Sequence, residues 1–299
     1  MILGIDIGGT NIKLGVVDED YRIIKKYSIK TRTDGGDKAL VSDIIEKAKE
    51  IKKEIPYEKI GIGTPGTVDY KAGVCIRSAN LPYSNTPVKA MIEEAIGVPV
   101  FLANDATAAV CGELHAGEGR KYKNFIMITL GTGVGGGVVI DSKPYLGKSG
   151  GAGEFGHLII EYDGLPCRCG AKGCLEQYAS VTALINQTKK AAEDNPGSIL
   201  AQMCEEEING KIVFDAKDAG CSIAQGVIDK YSGYVAAGVT SLIRAFQPEA
   251  VVFGGAITMQ EENLLKPIRE KVKLPAEISI SSLKNDAGII GAASVAMGI

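Results

Sequence analysis

ILGIDIGGTNIKLGVV, residues 2–17, reads as a β-hairpin. Ile2 to Ile7 and Asn11 to Val17 are two β-type runs, and Gly8, Gly9 and Thr10 turn the chain between them. A third strand follows around Ile23 to Ile29. A Gly-Gly-Thr tip leaves backbone N–H groups unshielded by side chains, so it suits a close approach to phosphate oxygens. Asp6, just before the tip, suits a magnesium ion held through water. On this stretch alone, an ordinary tight hairpin with an Asp at a strand end is an equally good reading.

The pattern returns at 125–140. FIMITL leads through Gly131, Thr132, Gly133, Val134 and Gly135 into a second β-run, GVVID. These glycines satisfy GxGxxG in form, but a dinucleotide fold needs that motif to open a helix, and Val138-Val139-Ile140 is a strand. The phosphate loop GxxxxGK[ST] is absent. Two strand–tip–strand units about one domain apart predict a duplicated α/β fold that clasps a phosphate chain from both sides. The expected division is a smaller N-terminal α/β domain of residues 1–115 plus 287–299, and a larger C-terminal α/β domain of 116–286.

Between and after these units the elements alternate. Lys38 to Ile55 has apolar residues at helical spacing and is closed by Pro56. KIGIG leads into the loop TPGTVD, residues 64–69, which contains Gly66; Asn80-Leu81-Pro82 is a second loop, and Pro87 to Ile96 a short helix. Val98 to Leu102 reads as a buried strand ending at Asn104-Asp105, with a helix from Ala106 to Leu114. Open α/β sheets place ligands outside the carboxyl ends of their strands, where this polar pair falls. Asn and Asp are also preferred helix caps, so one of the pair can cap while the other does chemistry. Helices are expected at 176–192, 198–206, 218–246, 261–273 and 287–297, and strands at 250–253 and 276–280. Gly254 and Gly255 follow the first of these strands as one more glycine step, which a plain turn would also explain.

Apolar residues make up 45% and charged residues 23% of the 299, which is a globular composition. The net charge is −3 with no basic run, so nucleic acid is not an expected partner. Met1 to Gly4 is followed by Asp6 with no basic stretch before it, so no secretion signal is expected; no run is long enough to span a membrane. Seven cysteines in such a chain are expected to be reduced thiols in the cytoplasm.

Three of those cysteines lie in GEFGHLIIEYDGLPCRCGAKGCLEQYAS, residues 153–180, with one of the two histidines. Nine residues separate His157 from Cys167, followed by CxC and then Cys174. One imidazole and three thiolates make a closed tetrahedral set of the kind that holds structural zinc. A closed set has no position for an activated water, so this metal is assigned to structure. Arg168 and Lys172 are placed to offset its net negative charge. Cys75, Cys111, Cys204 and Cys221 are isolated among apolar residues and expected in the core, and His115 is expected at a helix end.

With His157 committed to metal, no Ser/His/Asp or Cys/His nucleophile set can be assembled. The proton acceptor must be a carboxylate. Asp105 is followed by Ala106, Thr107, Ala108 and Ala109, which leave room for a substrate. Such an acceptor suits phosphoryl transfer to a hydroxyl, where positioning and charge neutralisation supply most of the rate.

Together these motifs resemble the ROK family of sugar kinases and repressors, within the actin-like, ribonuclease H-like ATPase superfold that hexokinases share. DIGGTNIKLGVVD at 6–18 and LGTGVGGG at 130–137 are similar to the two phosphate motifs, VFGGAI at 252–257 to the adenosine motif, and LANDATAA at 102–109 to the catalytic segment. GEFGH followed by CRCGAKGCLEQYAS resembles the family signature. The resemblance implies duplicated actin-like domains with a cleft between them, which would close on hexose and ATP and exclude water. It implies Asp105 as the base for a sugar 6-hydroxyl. Asn104, Glu154, His157 and Glu176 would bind other hydroxyls, and Gly66 and Asn80 would line the sugar site. His157 would give one ring nitrogen to Zn²⁺ and offer the other to the sugar. Asp6, Gly9, Thr10, Asn11, Thr132 and Gly133 would hold ATP with Mg²⁺, and Gly254 and Gly255 the nucleoside. A homodimer is implied by analogy.

Two departures bear on substrate. The run NLPYSNTPV has Tyr83 where glucokinases of the family often carry a Trp nearby, and Ala103 precedes Asn104 where Glu is common. Glucose is the expected hexose, with N-acetylmannosamine, N-acetylglucosamine and fructose as alternatives. Family repressors carry a DNA-reading module ahead of the first phosphate motif; here that motif begins at Asp6, so a sugar-sensing regulator ranks behind a kinase, and the intact Asp105 and both Gly/Thr hairpins rank a non-catalytic sugar binder behind it as well.

Overall fold

The computed structural model describes residues 1–148, 150–205 and 208–298. In chain order the strands β1 (Ile2–Ile7), β2 (Asn11–Val17) and β3 (Ile23–Lys30) precede helix α1 (Gly36–Glu54). Then come β4 (Lys59–Thr64), β5 (Thr67–Asp69), β6 (Val74–Arg77), β7 (Ser84–Thr86), α2 (Val88–Ile96), β8 (Val100–Asn104) and α3 (Asp105–Ala116). The chain continues with β9 (Phe125–Leu130), β10 (Val134–Ile140), β11 (Lys143–Pro144), α4 (Glu176–Ala179), α5 (Val181–Asp194), α6 (Ile199–Cys204), α7 (Ile212–Asp218) and α8 (Ser222–Phe246). It ends with β12 (Ala250–Gly254), α9 (Glu262–Lys271), β13 (Glu277–Ile280) and α10 (Ala287–Met297).

The duplication is visible in strand order. One sheet runs β3-β2-β1-β4-β8 and the other β11-β10-β9-β12-β13. In the first, β1 pairs antiparallel with β2 and parallel with β4, which pairs parallel with β8. In the second, β12 pairs parallel with both β9 and β13, and β10 antiparallel with β11. A hairpin followed by parallel crossovers is therefore used twice. A small antiparallel sheet, β5-β6-β7, forms where the sequence suggested a loop at 64–69.

The chain divides into two compact units: Met1–Lys123, Gly137–Gly153 and Ser282–Ile299, and then Asn124–Gly136 and Glu154–Ser281. This differs from the sequence boundaries at 115/116 and 286/287. Residues 137–153 join the first unit because they lie on it: a Cβ at Gly137 would stand 2.8 Å from Val110 of α3, and one at Gly150 would stand 2.8 Å from Tyr70.

Within the first unit, strand alternation sorts the side chains into two layers. Leu3, Ile5, Ile7, Ile60, Ile62, Val100 and Leu102 join Leu40, Ile44 and Ile51 of α1 and Val88 and Ile92 of α2 in one core. The opposite face carries Gly4, Gly61, Gly63 and Ala103, and α10 and α3 cover it. Gly61 is required there: a Cβ would collide with the Ala292 carbonyl of α10. Asp6 is on this same face, its carboxylate over Gly288 at the start of α10.

In the second unit α8 supplies a long buried stripe, including Val227, Tyr231, Val235, Val239 and Leu242, and α4, α5, α7 and α9 pack against it. Three helix expectations need correction. The run 176–192 is two helices, because Ser180 is extended and its hydroxyl accepts the Ala183 N–H to cap α5. The run 218–246 is broken before Ser222 by Gly220 in a left-handed conformation (φ 86°). The helix at 198–206 is Ile199–Cys204, and Glu206 lies outside the described residues. Cys75, Cys111 and Cys221 are buried as expected, but Cys204 is only half-buried. Among the described residues, no helix is long and apolar enough to cross a membrane.

Candidate active site

β8 delivers Asn104 and Asp105 to the head of α3 and divides their roles. Asn104 is the cap: its Oδ1 accepts the Ala106 N–H at 2.9 Å, and its Nδ2 donates to the Gly66 carbonyl at 3.0 Å. Gly66 has φ 107°, a turn that only glycine adopts without strain. Asp105 also accepts the Ala106 N–H, at 2.9 Å, and one edge of it reaches solvent. The residue as a whole is exposed, while its carboxyl group has protein atoms around it. The lost hydration outweighs the hydrogen bonds from Ala106, its own N–H and Asn104, and holds the Asp105 pKa above the ordinary carboxylate range. A carboxylate so raised binds a proton more tightly than a free one, a property that suits proton abstraction from a hydroxyl.

Asp6 is close enough to feel Asp105. Burial is the main cause of its raised pKa; Lys13 opposes this and the Asp105 charge adds to it. A buried carboxylate with a second carboxylate adding to its raised pKa suits a site that receives a cation. Asn80 sits beside the first tip, its Cβ 3.7 Å from where a Cβ on Gly9 would lie. Asp6, Gly9, Gly66, Asn80, Asn104 and Asp105 are thus gathered at one end of the first unit's sheet. Thr10 and Asn11 complete the tip, where the Gly8 N–H donates to the Asn11 carbonyl at 3.0 Å. A small, partly open hollow lies beside Asn104, bounded by Val68, Tyr70, Ala103, Thr107, Leu146 and Gly150.

The second unit holds the other half of the expected residues. The signature segment folds onto β10: Phe155 lies where a Cβ on Gly136 would be, and Gly156 lies against the Val134 carbonyl. That contact anchors the short 3₁₀ turn Phe155–His157. The Glu176 carboxylate lies against Gly133, and its Oε2 accepts the Val134 N–H at 3.0 Å. Glu176 is therefore attached to the second Gly/Thr tip as well as to the cysteine loop. Gly255, with φ 99°, lies against the Leu130 carbonyl, so Gly254 and Gly255 stand next to the strand that runs into that same tip.

His157, Cys167, Cys169 and Cys174 converge, their ligand atoms all within 4.8 Å of one another. His157 Nδ1 is 3.6 Å from Cys167 Sγ, and Cys169 Sγ is 3.6 Å from Cys174 Sγ. Zinc bonds of about 2.3 Å to sulfur and about 2.0 Å to nitrogen give tetrahedral edges of about 3.5–3.8 Å, so the donor set fits the ion. Nδ1 faces the sulfurs, while Nε2 points to Glu154 Oε2, 4.0 Å away. The Ala171 N–H, with help from the neighbouring thiols, holds the Cys169 pKa below that of a free thiol; burial pushes Cys174 up to about 12. A bound cation favours the thiolate of both. Lys172 does not offset the cluster's charge as expected, because its ammonium pairs with Asp163 at 3.1 Å.

Three residues escaped the sequence reading. Gln177 donates to Cys167 Sγ at 3.7 Å, and its place next to Glu176 in the signature was the available signal. Thr31 and Thr182 each bond a Gly/Thr tip, and no spacing in the sequence marks either. His115 does close α3, where its Nδ1 meets the Cys111 carbonyl at 2.9 Å and its ring stacks on Tyr21.

The model of the ROK family matches residues 2–298. A glucokinase of Thermotoga maritima is 36% identical over 98% of this chain and 96% of its own length. A glucokinase of Streptomyces coelicolor is 34% identical over 99% and 97%. Among solved structures, a ROK family glucokinase from Streptomyces griseus, in complex with glucose and AMPPNP, is 34% identical with a TM-score of 0.85, covering 99% of both chains.

Proposed function

The chain belongs to the ROK family, and from that premise we propose that it is an ATP-dependent hexose kinase that phosphorylates glucose at the 6-hydroxyl. The similarity to glucokinases over nearly the full length of both chains carries this reading. N-acetylmannosamine, N-acetylglucosamine and fructose are the alternative acceptors.

Asp105 is the base. It takes the proton of the 6-hydroxyl as the oxygen attacks the γ-phosphorus and the bond to the β–γ bridging oxygen of ATP breaks, which releases ADP. Its raised pKa favours that transfer. Asn104 already fixes Gly66 and hydrogen-bonds Asp105, so its Oδ1 is preoriented to accept from a sugar hydroxyl with its remaining lone pair. Asn80, Glu154, His157 and Glu176 are the other residues proposed to bind sugar hydroxyls. His157 would ligate zinc through Nδ1 and present Nε2 to the sugar.

The two tips bind the phosphates of ATP through Gly9, Thr10, Asn11, Thr132 and Gly133, and Gly254 and Gly255 take the nucleoside. Asp6 would hold Mg²⁺ through water, and that ion supplies charge neutralisation at the transferring phosphoryl group. Zinc would tie the loop that carries Glu154, His157 and Glu176. We further propose that the protein works in the cytoplasm as a homodimer without nucleic acid or membrane partners. A coupled ADP-release assay across a hexose panel tests the proposal: turnover with glucose is expected, and no turnover with any hexose would refute it.

A further inference from the structure

We infer that Thr31 and Thr182 are positioning residues that latch the two Gly/Thr tips into the shape that receives nucleotide phosphates. This rests on reading those tips as the phosphate sites of ATP.

The two tips are held in the same manner by unrelated segments. At the first tip, the Thr31 N–H donates to the Thr10 carbonyl at 3.0 Å, and Thr31 Oγ1 donates to the Gly8 carbonyl at 2.6 Å. At the second, the Val181 N–H donates to the Gly131 carbonyl at 2.8 Å, and Thr182 Oγ1 donates to the Thr132 carbonyl at 2.8 Å. Each latch thus combines one backbone N–H with one threonine hydroxyl on two carbonyls of the tip. Within the tips, the Gly8 N–H closes on the Asn11 carbonyl and the Gly131 N–H on the Gly133 carbonyl, both at 3.0 Å.

The consequence is polarity. A peptide unit whose carbonyl is held on one side presents the following N–H on the other. Among the described residues, the N–H groups of Gly9, Thr132 and Gly133, which follow the held carbonyls of Gly8, Gly131 and Thr132, make no hydrogen bond within the protein. Unpaired N–H groups in a turn form an anion-binding concavity. A latch that lets go would leave the tip free to rotate its peptides and to point carbonyl oxygens at the phosphates.

The second latch has a further connection. The extended break at Ser180 puts Val181 and Thr182 in reach of the tip, and the same tip's Val134 N–H is held by Glu176. The segment 176–182 therefore grips the tip at Gly131, Thr132 and Val134 and carries, in Glu176, a side chain proposed for the hexose. Hexose binding at Glu176 would then steady the nucleotide tip as well.

Thr31→Val and Thr182→Val delete the hydroxyl and keep the shape; Thr31→Ser and Thr182→Ser keep the hydroxyl. The affinity for AMPPNP with magnesium is read by calorimetry, which needs no turnover. Loss of one such bond is expected to weaken AMPPNP by about three- to tenfold in each Val variant, with the Ser variants within about twofold of wild type. Glucose affinity measured without nucleotide should change little. Val variants that bind AMPPNP like wild type would overturn the latch, and so would Ser variants as weak as Val. Thr182 is exposed and its variants are expected to fold, so they decide the matter if Thr31→Val does not. Wild type that binds AMPPNP but phosphorylates no hexose would refute the kinase proposal and leave the latch to the affinities.

Discussion

Replacing Asp105 with Asn should stop the chemistry and leave the site standing. The side-chain oxygen that accepts the Ala106 N–H at 2.9 Å is retained in Asn, and so is the fold of the α3 N-terminus around Asn104. Only the proton acceptor goes. General-base catalysis is worth about 10²–10⁴-fold, so kcat should fall by that factor while glucose affinity stays within about threefold of wild type. Stability should move the other way. Burial raises the Asp105 pKa in the folded protein, so the ionised carboxylate costs the fold free energy that a neutral amide does not. The carboxylate gives up about 0.3–1 kcal/mol of favourable helix-dipole energy on becoming an amide, which reduces this gain. Both proteins should melt alike below the ordinary carboxylate pKa, where Asp105 is protonated folded and unfolded. The Asn variant should gain as pH rises through the raised folded value. In wild type, kcat/KM should fall as pH drops through that value, because a protonated Asp105 accepts nothing. The assays are coupled ADP release, glucose titration and thermal melts from pH 3 to pH 8, values chosen to span roughly the carboxylate range. Turnover within tenfold of wild type, or a variant less stable than wild type at neutral pH, would refute the reasoning.

Other consequences follow from the same contacts. Asn104→Leu removes the helix cap and the bond to the Gly66 carbonyl, each about 1 kcal/mol, so unfolding free energy should fall by about 2 kcal/mol and the glucose KM should rise about tenfold; unchanged values would remove Asn104 from both roles. Gly61→Val drives a side chain into the Ala292 carbonyl, and a loss of about 3 kcal/mol or more, roughly 6–12 °C in Tm, is expected; a melt within about 2 °C of wild type would contradict the packing of α10. Elemental analysis should find about one zinc per chain, and Cys169→Ser should lower both the zinc content and the Tm. A metal-free, fully active preparation would refute the zinc loop.

Much of this was legible in the chain because the informative signals were local. The hairpins at 2–17 and 125–140 are encoded in β-runs and glycine tips, and their likeness to each other foretold the repeated strand order. The cysteine loop was legible because four ligand-type residues lie within one short segment. The division of labour between Asn104 and Asp105 was posed correctly but not resolved, since both residue types cap helices; only the Asn104 bond to Gly66, 38 residues away, separates them. What failed were features set by distant partners. Ser180 looks like the interior of a helix until the need to reach Gly131 and Thr132 is seen. Lys172 was read against the metal charge, yet Asp163 competes for it. The threonine latches left no trace in spacing, because a hydroxyl aimed at a carbonyl 50 residues away has no sequence period.

The central claim is transfer of the ATP γ-phosphoryl group to the 6-hydroxyl of glucose. ADP formation with glucose and with 6-deoxyglucose, together with identification of the sugar product, tests it most directly. The account predicts one glucose 6-phosphate for each ADP, and no sugar-dependent ADP with 6-deoxyglucose. Equal ADP release with both sugars, or none with glucose and every other hexose, would contradict it.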